Sequence, residues 1–152
     1  MKNIKFTEKI KINCSQATAF EYTQDYGQRL NWDTFLIKAD LIEGATFAKV
    51  GVKALCMAHN GLEMITEYVT FKKPTVTAIK MTKGPYLFKS FLGSWNFKQL
   101  ELNVTEVLFL YSFQLRFPFN LANNLIKNKL AKNVRQRLLD LKTNIEKQGL
   151  KP

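Results

Sequence analysis

The sequence predicts an α+β fold in which an antiparallel sheet of about seven strands curls around one long C-terminal helix. The helix is indicated by residues 119–148, where no Pro or Gly falls between Asn120 and Gln148. The sheet is indicated by one alternating segment near the N-terminus and by about six further strand-like segments in residues 34–117. The connections between these segments are of hairpin length, which favours antiparallel pairing.

The long helix is predicted from the period of its apolar residues. One face is apolar at i, i+3 and i+4 spacing, and the opposite face is polar. The apolar stripe consists of Ile126, Leu130, Ala131, Val134, Leu138, Leu141 and Ile145. Asn120 is placed to cap the start, and Gly149 follows the last periodic residue. Lys127 falls within the stripe and Arg137 at its edge, where long side chains can cover apolar surface and keep their charge in water.

Two short helices are predicted after the first strand. Residues 4–12 alternate apolar and polar side chains, as a half-buried strand does. Helical segments follow at 16–24 and 26–30, with Asn13 or Ser15 as the N-cap of the first. Trp32 comes next, and we expect it to anchor this helical corner to the sheet.

Six strand-like segments then follow one another. Asn60-Gly61 separates two of them and is a strong hairpin signal. The fifth segment is either one long strand or two pieces around Gly93. In the sixth, alternate residues from Val107 to Phe117 share one face. The predicted strands are 35–43, 51–59, 62–71, 75–83, 88–103 and 106–117.

Length and composition predict one domain over residues 1–152, because 46% of the residues are hydrophobic and 12% are aromatic. The chain has no run of about 18 apolar residues, and its N-terminus lacks the apolar block of a signal peptide. We therefore expect a cytoplasmic protein. In that compartment Cys14 and Cys56 are expected to be free thiols, with a disulfide between them as the alternative.

The net charge of +11 would attract nucleic-acid phosphates or anionic lipid heads. A run of charge is more often a solvated surface, so we expect at most a weak anionic-surface contact through the basic helix face, and no specific DNA binding. No cofactor and no metal are predicted. The glycines do not follow the spacing of a nucleotide-binding loop, and potential metal ligands do not cluster.

Three stretches resemble the START/Bet v 1-like (SRPBCC) superfamily, and in particular its bacterial polyketide cyclase/dehydrase and lipid-transport group. They are ATAFEY at 17–22 with Asp25 and Trp32-Asp33, EYVTFKKP at 67–74 after Gly51-Val52, and GSWNF at 93–97. Thr34 departs from the pattern, since a Pro often follows the Trp-Asp pair. The resemblance implies a helix-grip fold with a cavity for a lipid, isoprenoid, polyketide or quinone-like ligand. It leaves enzymatic activity open, because the family includes members with and without it.

The predicted ligand-binding residues lie on the strands and the helix that would enclose this cavity. Aromatic side chains share strand faces at 95–97 and 109–113, and the strand at 51–59 presents small residues on one face. An apolar pocket with a few polar groups suits a small ligand. An ordinary filled core is the alternative for each single residue. The predicted set is Ala54, Cys56, Tyr68, Trp95, Phe97, Phe109, Tyr111, Phe113, Leu130 and Val134.

No catalytic residue is assigned, and Glu67 and Tyr111 are the candidates. A buried Glu67 would have a raised pKa, as a general acid or base needs, but the strand register that would bury it is left open. A buried Tyr111 phenol could donate to a ligand carbonyl. His59 is the single histidine of the sequence and lies beside the Asn60-Gly61 turn, where exposure is expected.

Three functions therefore compete. The first is a non-catalytic carrier or sensor of a small hydrophobic molecule, which the sequence favours. The second is a cyclase- or dehydratase-type enzyme acting on an enclosed carbonyl compound. The third is a basic surface that contacts the ribosome, RNA or an anionic membrane.

Overall fold

The computed structural model describes residues 2–149 and has the predicted α+β architecture. Seven strands and two short helices precede the long C-terminal helix, in the predicted order. The elements are β1 (Ile4–Ile12), α1 (Gln16–Gln24), α2 (Arg29–Trp32), β2 (Leu36–Leu41), β3 (Lys53–Ala58), β4 (Glu63–Lys72), β5 (Val76–Lys83), β6 (Phe88–Glu101), β7 (Val104–Leu115), a 3-10 turn (Phe119–Ala122) and α3 (Asn123–Gln148).

The sheet is antiparallel throughout, in the order β1-β7-β6-β5-β4-β3-β2. Strands β2 to β7 form a meander, and β1 joins its far edge beside β7. The sheet curls around α3, which packs on β1 and touches α2. This is a helix-grip fold, as the resemblance implied. The position of β1 brings the N-terminal helices and α3 to the same concave face.

The apolar stripe of α3 faces the sheet, as predicted. Ala131, Val134, Leu138, Leu141 and Ile145 are buried. Gly149 ends the helix in the left-handed conformation, with φ of 67°, which favours glycine. The prediction of an Asn120 cap is wrong. Asn120 lies in the 3-10 turn, its backbone N–H donates to the Arg116 carbonyl, and α3 begins after Ala122 without a side-chain cap.

The structure resolves one alternative near α1 and shifts the predicted bounds of α2. Ser15 is the N-cap of α1, since its hydroxyl accepts from the backbone N–H of Thr18. The second short helix begins at Arg29, three residues later than predicted. Residues 26–28 form a turn instead, in which the Asp25 carboxylate accepts from the backbone N–H of Gly27.

Strand β6 is continuous through Gly93. Gly93 pairs with Tyr111 of β7, and a Cβ built on it would lie 3.4 Å from the Phe109 ring. The same Cβ would lie 3.3 Å from Ile79 Cδ1, so a larger side chain here would crowd both neighbours. The prediction that Phe117 shares the buried face of β7 is wrong, because the strand ends at Leu115 and Phe117 is 69% exposed.

Both cysteines are free thiols, as predicted. Cys14 is buried, and this burial raises the pKa of its thiol to about 11. Within residues 2–149, no helix is long and apolar enough to cross a membrane. Nor does this part of the chain contain a group of three or more His, Cys, Asp or Glu residues that could hold a metal ion.

Candidate ligand-binding site

A cavity of about 380 Å³ lies between the concave face of the sheet and the N-terminal half of α3. Strands β3 to β7 supply its floor and walls, the segment around α2 closes one side, and α3 covers it. Most of the lining is apolar or aromatic. The aromatic residues of β6 and β7 that line it are Phe88, Phe91, Trp95, Phe109 and Tyr111.

The aromatic wall is held by edge-to-face ring contacts. The ring centroids of Trp95 and Phe109 are 4.3 Å apart, those of Phe109 and Tyr111 4.8 Å, and those of Phe91 and Tyr111 4.7 Å. Trp32 packs edge-on against Trp95, with centroids 5.9 Å apart, which fixes the α2 corner to the sheet as expected. These contacts give the cavity a rigid, preformed wall.

A buried ion cluster lies at the α2 side of the cavity. The Asp33 carboxylate is fully buried and accepts from Arg29 Nε at 2.8 Å and from Arg137 Nη2 and Nε at 2.7 and 3.1 Å. Arg29 and Asp33 are four residues apart around the short helix α2, so they meet on one face. Arg137 reaches the same carboxylate from α3. Both arginines also line the cavity.

All three members of this cluster are charged at neutral pH. Burial alone would raise the pKa of Asp33, but Arg137 and Arg29 outweigh it and lower that pKa to about 2. Burial would lower the pKa of Arg29, but Asp33 more than compensates and raises it. Two guanidinium groups therefore share one carboxylate, and the cluster has one excess positive charge.

Tyr111 connects this cluster to the aromatic wall. Arg137 Nη1 donates to the Tyr111 hydroxyl oxygen at 3.0 Å. The Tyr111 hydroxyl proton has no acceptor within residues 2–149, so it is free to donate into the cavity that Tyr111 lines. The Arg137 guanidinium also lies over the Phe35 ring, 5.0 Å from its centroid, which restricts its position further.

A second polar pair lies deeper along β4. The Tyr68 hydroxyl donates to Gln24 Oε1 at 2.8 Å, and both residues line the cavity. Burial raises the pKa of Tyr68 well above its ordinary value, followed by the effect of the neighbouring Tyr26. The phenol therefore remains protonated. Gln24 Nε2 donates in turn to the Thr23 hydroxyl, so both ends of the Gln24 amide have partners within the protein.

Six of the ten predicted ligand-binding residues line the cavity: Cys56, Tyr68, Trp95, Phe109, Tyr111 and Leu130. The other four, Ala54, Phe97, Phe113 and Val134, are buried outside it. Phe97 packs against Phe20 of α1, and Phe113 against Phe6 and Phe88. Their aromatic pattern is the same as that of the lining residues, so periodicity could not separate the two groups. Ligand contact by any of the ten stays a prediction.

Glu67 and His59 lie outside the cavity. Thr66 and Tyr68 line it, so Glu67 between them lies on the other face of β4, cross-strand from Lys53 and Lys80. A bulge between Tyr68 and Thr70 then returns Phe71 to the core side. The exposed His59 ring lies against the Thr34 carbonyl, with Nε2 at 2.9 Å. Of the two catalytic candidates, only Tyr111 faces the cavity.

The sequence reasoning missed the ion cluster. It treated Arg137 as an edge residue that keeps its charge in water, and it used Asp33 only as part of a resemblance. Two signals were available, namely the four-residue spacing of Arg29 and Asp33 and the position of Arg137 beside an apolar stripe. Neither showed that one carboxylate would join both arginines.

The sequence matches the family model described as polyketide cyclase/dehydrase and lipid transport, over residues 3–146. The chain belongs to this family. The match covers the sheet and nearly all of α3, so every element around the cavity lies within it. No curated protein matches the sequence significantly.

Solved structures with the same fold span nearly the whole chain. The aromatase/cyclase Zhui from a Streptomyces species has a TM-score of 0.82 at 10% identity, covering 97% of this chain and 96% of that one. The protein XoxI from Bacillus cereus has a TM-score of 0.76 at 15% identity, with 95% and 97% covered. A START superfamily protein from Mycobacterium smegmatis has a TM-score of 0.66 at 11% identity, with 90% and 98% covered. At these identities the likeness establishes the fold alone.

Proposed function

We propose that this protein binds a small hydrophobic molecule in the cavity between its sheet and α3, and acts as a carrier or sensor of that molecule. The observation that carries the proposal is the cavity itself, about 380 Å³ in volume and walled by Trp95, Phe109, Phe91 and Tyr111. Preformed apolar pockets with a few polar groups are the usual form of small-molecule sites. The lipid-transport part of the family description supports the same reading.

The size and shape of the cavity limit the ligand. Its volume lies toward the lower end of the roughly 300–1,000 Å³ range of ligand pockets. Aromatic walls favour flat rings or a flexible apolar chain, because rigid side chains contact either with little loss of entropy. Isoprenoid, polyketide and short lipid molecules all meet this description.

Binding is tested with Nile red, a neutral dye whose fluorescence rises in apolar surroundings. We expect one dye molecule per folded chain. Leu130→Trp should weaken binding at least about tenfold, because Leu130 is half-buried and lines the cavity that the larger ring would fill. Leu139→Trp is the matched control, since Leu139 lies on α3 with its side chain half-exposed outside the cavity.

Dye binding that is absent, or equally affected by both variants, would contradict the proposal. Mass spectrometry of the protein purified under native conditions supplies the identity of the natural ligand. The expected result is a bound apolar small molecule that Leu130→Trp displaces.

A second candidate function is cyclisation or dehydration of an enclosed carbonyl compound. The observation that favours it is the Tyr111 phenol, which accepts from Arg137 and can donate its own proton to a ligand carbonyl. The likeness to an aromatase/cyclase structure supports it as well. Against it, Glu67 lies outside the cavity, and Glu63, the one carboxylate among the lining residues described, is exposed. Binding is therefore the preferred function.

The two functions are distinguished by incubating the protein with a poly-β-keto thioester and analysing the products by liquid chromatography and mass spectrometry. An enzyme would release a cyclised or dehydrated product, and Tyr111→Phe would abolish this while Nile red still binds. A carrier would bind the compound and return it unchanged. No contact among residues 2–149 favours the third role, binding to RNA or an anionic membrane, so that role is not proposed.

A further inference from the structure

Arg29 places unused hydrogen-bond donors inside the cavity. Its side chain is only 9% exposed, its Nε donates to Asp33, and the guanidinium also bonds to the Tyr26 hydroxyl oxygen. A guanidinium has five N–H donors, so these two partners leave others over, and Arg29 lines the cavity. A buried guanidinium normally satisfies its donors, because an unmet charged donor loses its hydration without replacement. The remaining donors of Arg29 therefore call for an acceptor in the cavity.

The charges around the cavity point to the sign of that acceptor. Three cationic side chains line it, Arg29, Arg137 and Lys129, and one carboxylate, Glu63. Lys129 and Glu63 are exposed at the rim, where water screens them. In the interior, Asp33 faces both arginines and neutralises one of them. The buried part of the site thus has one uncompensated positive charge.

The geometry of the donors narrows the chemistry further. The N–H donors of a guanidinium form a planar fork, which matches the two oxygens of a carboxylate. Tyr111 lines the same cavity and offers a further proton. A monoanion would balance the single excess charge, whereas a phosphate monoester at about −1.5 to −2 would exceed it.

We propose that the ligand is an amphipathic monocarboxylate, with its carboxylate on the Arg29 fork and its apolar body against the aromatic wall. Tyr111 donates to the same carboxylate or to an adjacent oxygen. This inference rests on the proposed binding function and specifies the class of ligand. It also gives the ion cluster a role, because Asp33 and Arg137 hold Arg29 and Tyr111 in place for the ligand.

The test compares decanoate with decanol, which share an apolar chain and differ in the head group. Each is titrated against bound Nile red at pH 7.5. For the native protein we expect decanoate to bind about tenfold or more tightly than decanol, the scale of one charged hydrogen bond. Arg29→Gln should bring the decanoate and decanol affinities to within about twofold of each other. Lys132→Gln removes an equal charge from the exposed face of α3 and should alter neither.

The outcomes separate this inference from the function on which it rests. If Nile red and decanol bind but decanoate binds no better, the carboxylate is wrong and the binding function stands. If none of the probes binds, the proposed function fails and the inference fails with it. A preference that Arg29→Gln leaves intact would also overturn it. If Arg29→Gln does not fold, decanoate and decanol are compared on the native protein at about 1 M salt, which screens exposed charges. A preference for decanoate that persists supports the buried Arg29 site. A preference that vanishes comes from exposed charges and overturns the inference.

Discussion

The two halves of α3 cover different kinds of interior. The C-terminal half is anchored over a filled core, where Leu138, Leu141 and Ile145 are almost completely buried. The N-terminal half covers the cavity, which Ile126 and Leu130 line while only partly buried. One amphipathic helix thus stabilises the fold at one end and encloses the site at the other.

Hydrogen bonds reinforce the difference. In the C-terminal half, Lys142 Nζ donates to the Lys11 carbonyl at 2.9 Å, and Glu146 accepts from the Asn13 backbone N–H at 2.8 Å. The end of β1 is thereby tied to α3. At the other end, Leu121 of the preceding 3-10 turn and Leu125 of α3 are more than two-thirds exposed, and no side chain caps the helix. The filled half therefore holds most of the local stability, and the start of α3 is the less constrained side of the site.

The largest expected effect is at Asp33, where the two halves meet. Asp33→Asn should lower the free energy of unfolding by about 3–5 kcal/mol, because Arg29 and Arg137 would stay buried without their counter-charge. Urea denaturation at pH 7 measures it. Asp40→Asn alters an exposed carboxylate of β2 and should stay within about 0.5 kcal/mol. A similar small loss for both variants would show that the cluster does not hold the halves together.

The same carboxylate predicts a pH dependence. The pKa of Asp33 is lowered to about 2, so its contribution to stability is fully present above its unfolded-state pKa near 4. This contribution is lost as the pH falls from about 4 through about 2. The difference in unfolding free energy between the native protein and Asp33→Asn should therefore shrink over that interval. A difference that stays constant down to pH 2 would contradict the assignment.

The contrast along α3 itself is tested by two equal truncations. Leu141→Ala should cost about 2–5 kcal/mol, because it opens a void in a filled core where Leu141 is fully buried. Leu130→Ala should cost about 1 kcal/mol, because it enlarges a cavity that already exists. Urea denaturation of both variants gives the comparison. Equal losses would mean that the interior beneath Leu130 is packed as tightly as that beneath Leu141.

This contrast also shows which features of the structure the sequence could predict. The fold followed from periodicity, since alternation in the strands and the i, i+3, i+4 stripe of α3 both survive in the structure. The division of the interior into a filled core and a cavity did not follow from periodicity. Phe97 and Phe109 have the same pattern, yet Phe97 packs on α1 and Phe109 lines the cavity. That distinction depends on where α1 and α3 lie over the sheet.

The ion cluster was beyond periodicity for a related reason. Arg137 bonds to Asp33 across 104 positions of the chain, and a helix-edge arginine looks the same whether it is solvated or paired. A similar limit applied to Glu67, whose face depended on a strand register and on the bulge that follows Tyr68. Local pattern thus identified the elements, and long-range polar contacts decided which residues form the site.

The smallest expected effect is a difference in alkylation rate between the two cysteines, one of which lies in each region. Cys14 lies in the filled region beside the end of α3, with no exposed surface and a pKa raised to about 11 by burial. Cys56 lines the cavity and is partly accessible, although burial raises the pKa of its thiol as well. Iodoacetamide at pH 8 should therefore alkylate Cys56 slowly in the folded protein and Cys14 only after unfolding.

Saturating decanol should slow labelling of Cys56 several-fold by filling the cavity, and should leave Cys14 unaffected. Peptide mass spectrometry over time measures both rates. Equal rates for the two thiols, or a Cys56 rate that decanol does not change, would show that Cys56 does not border the space that the ligand occupies.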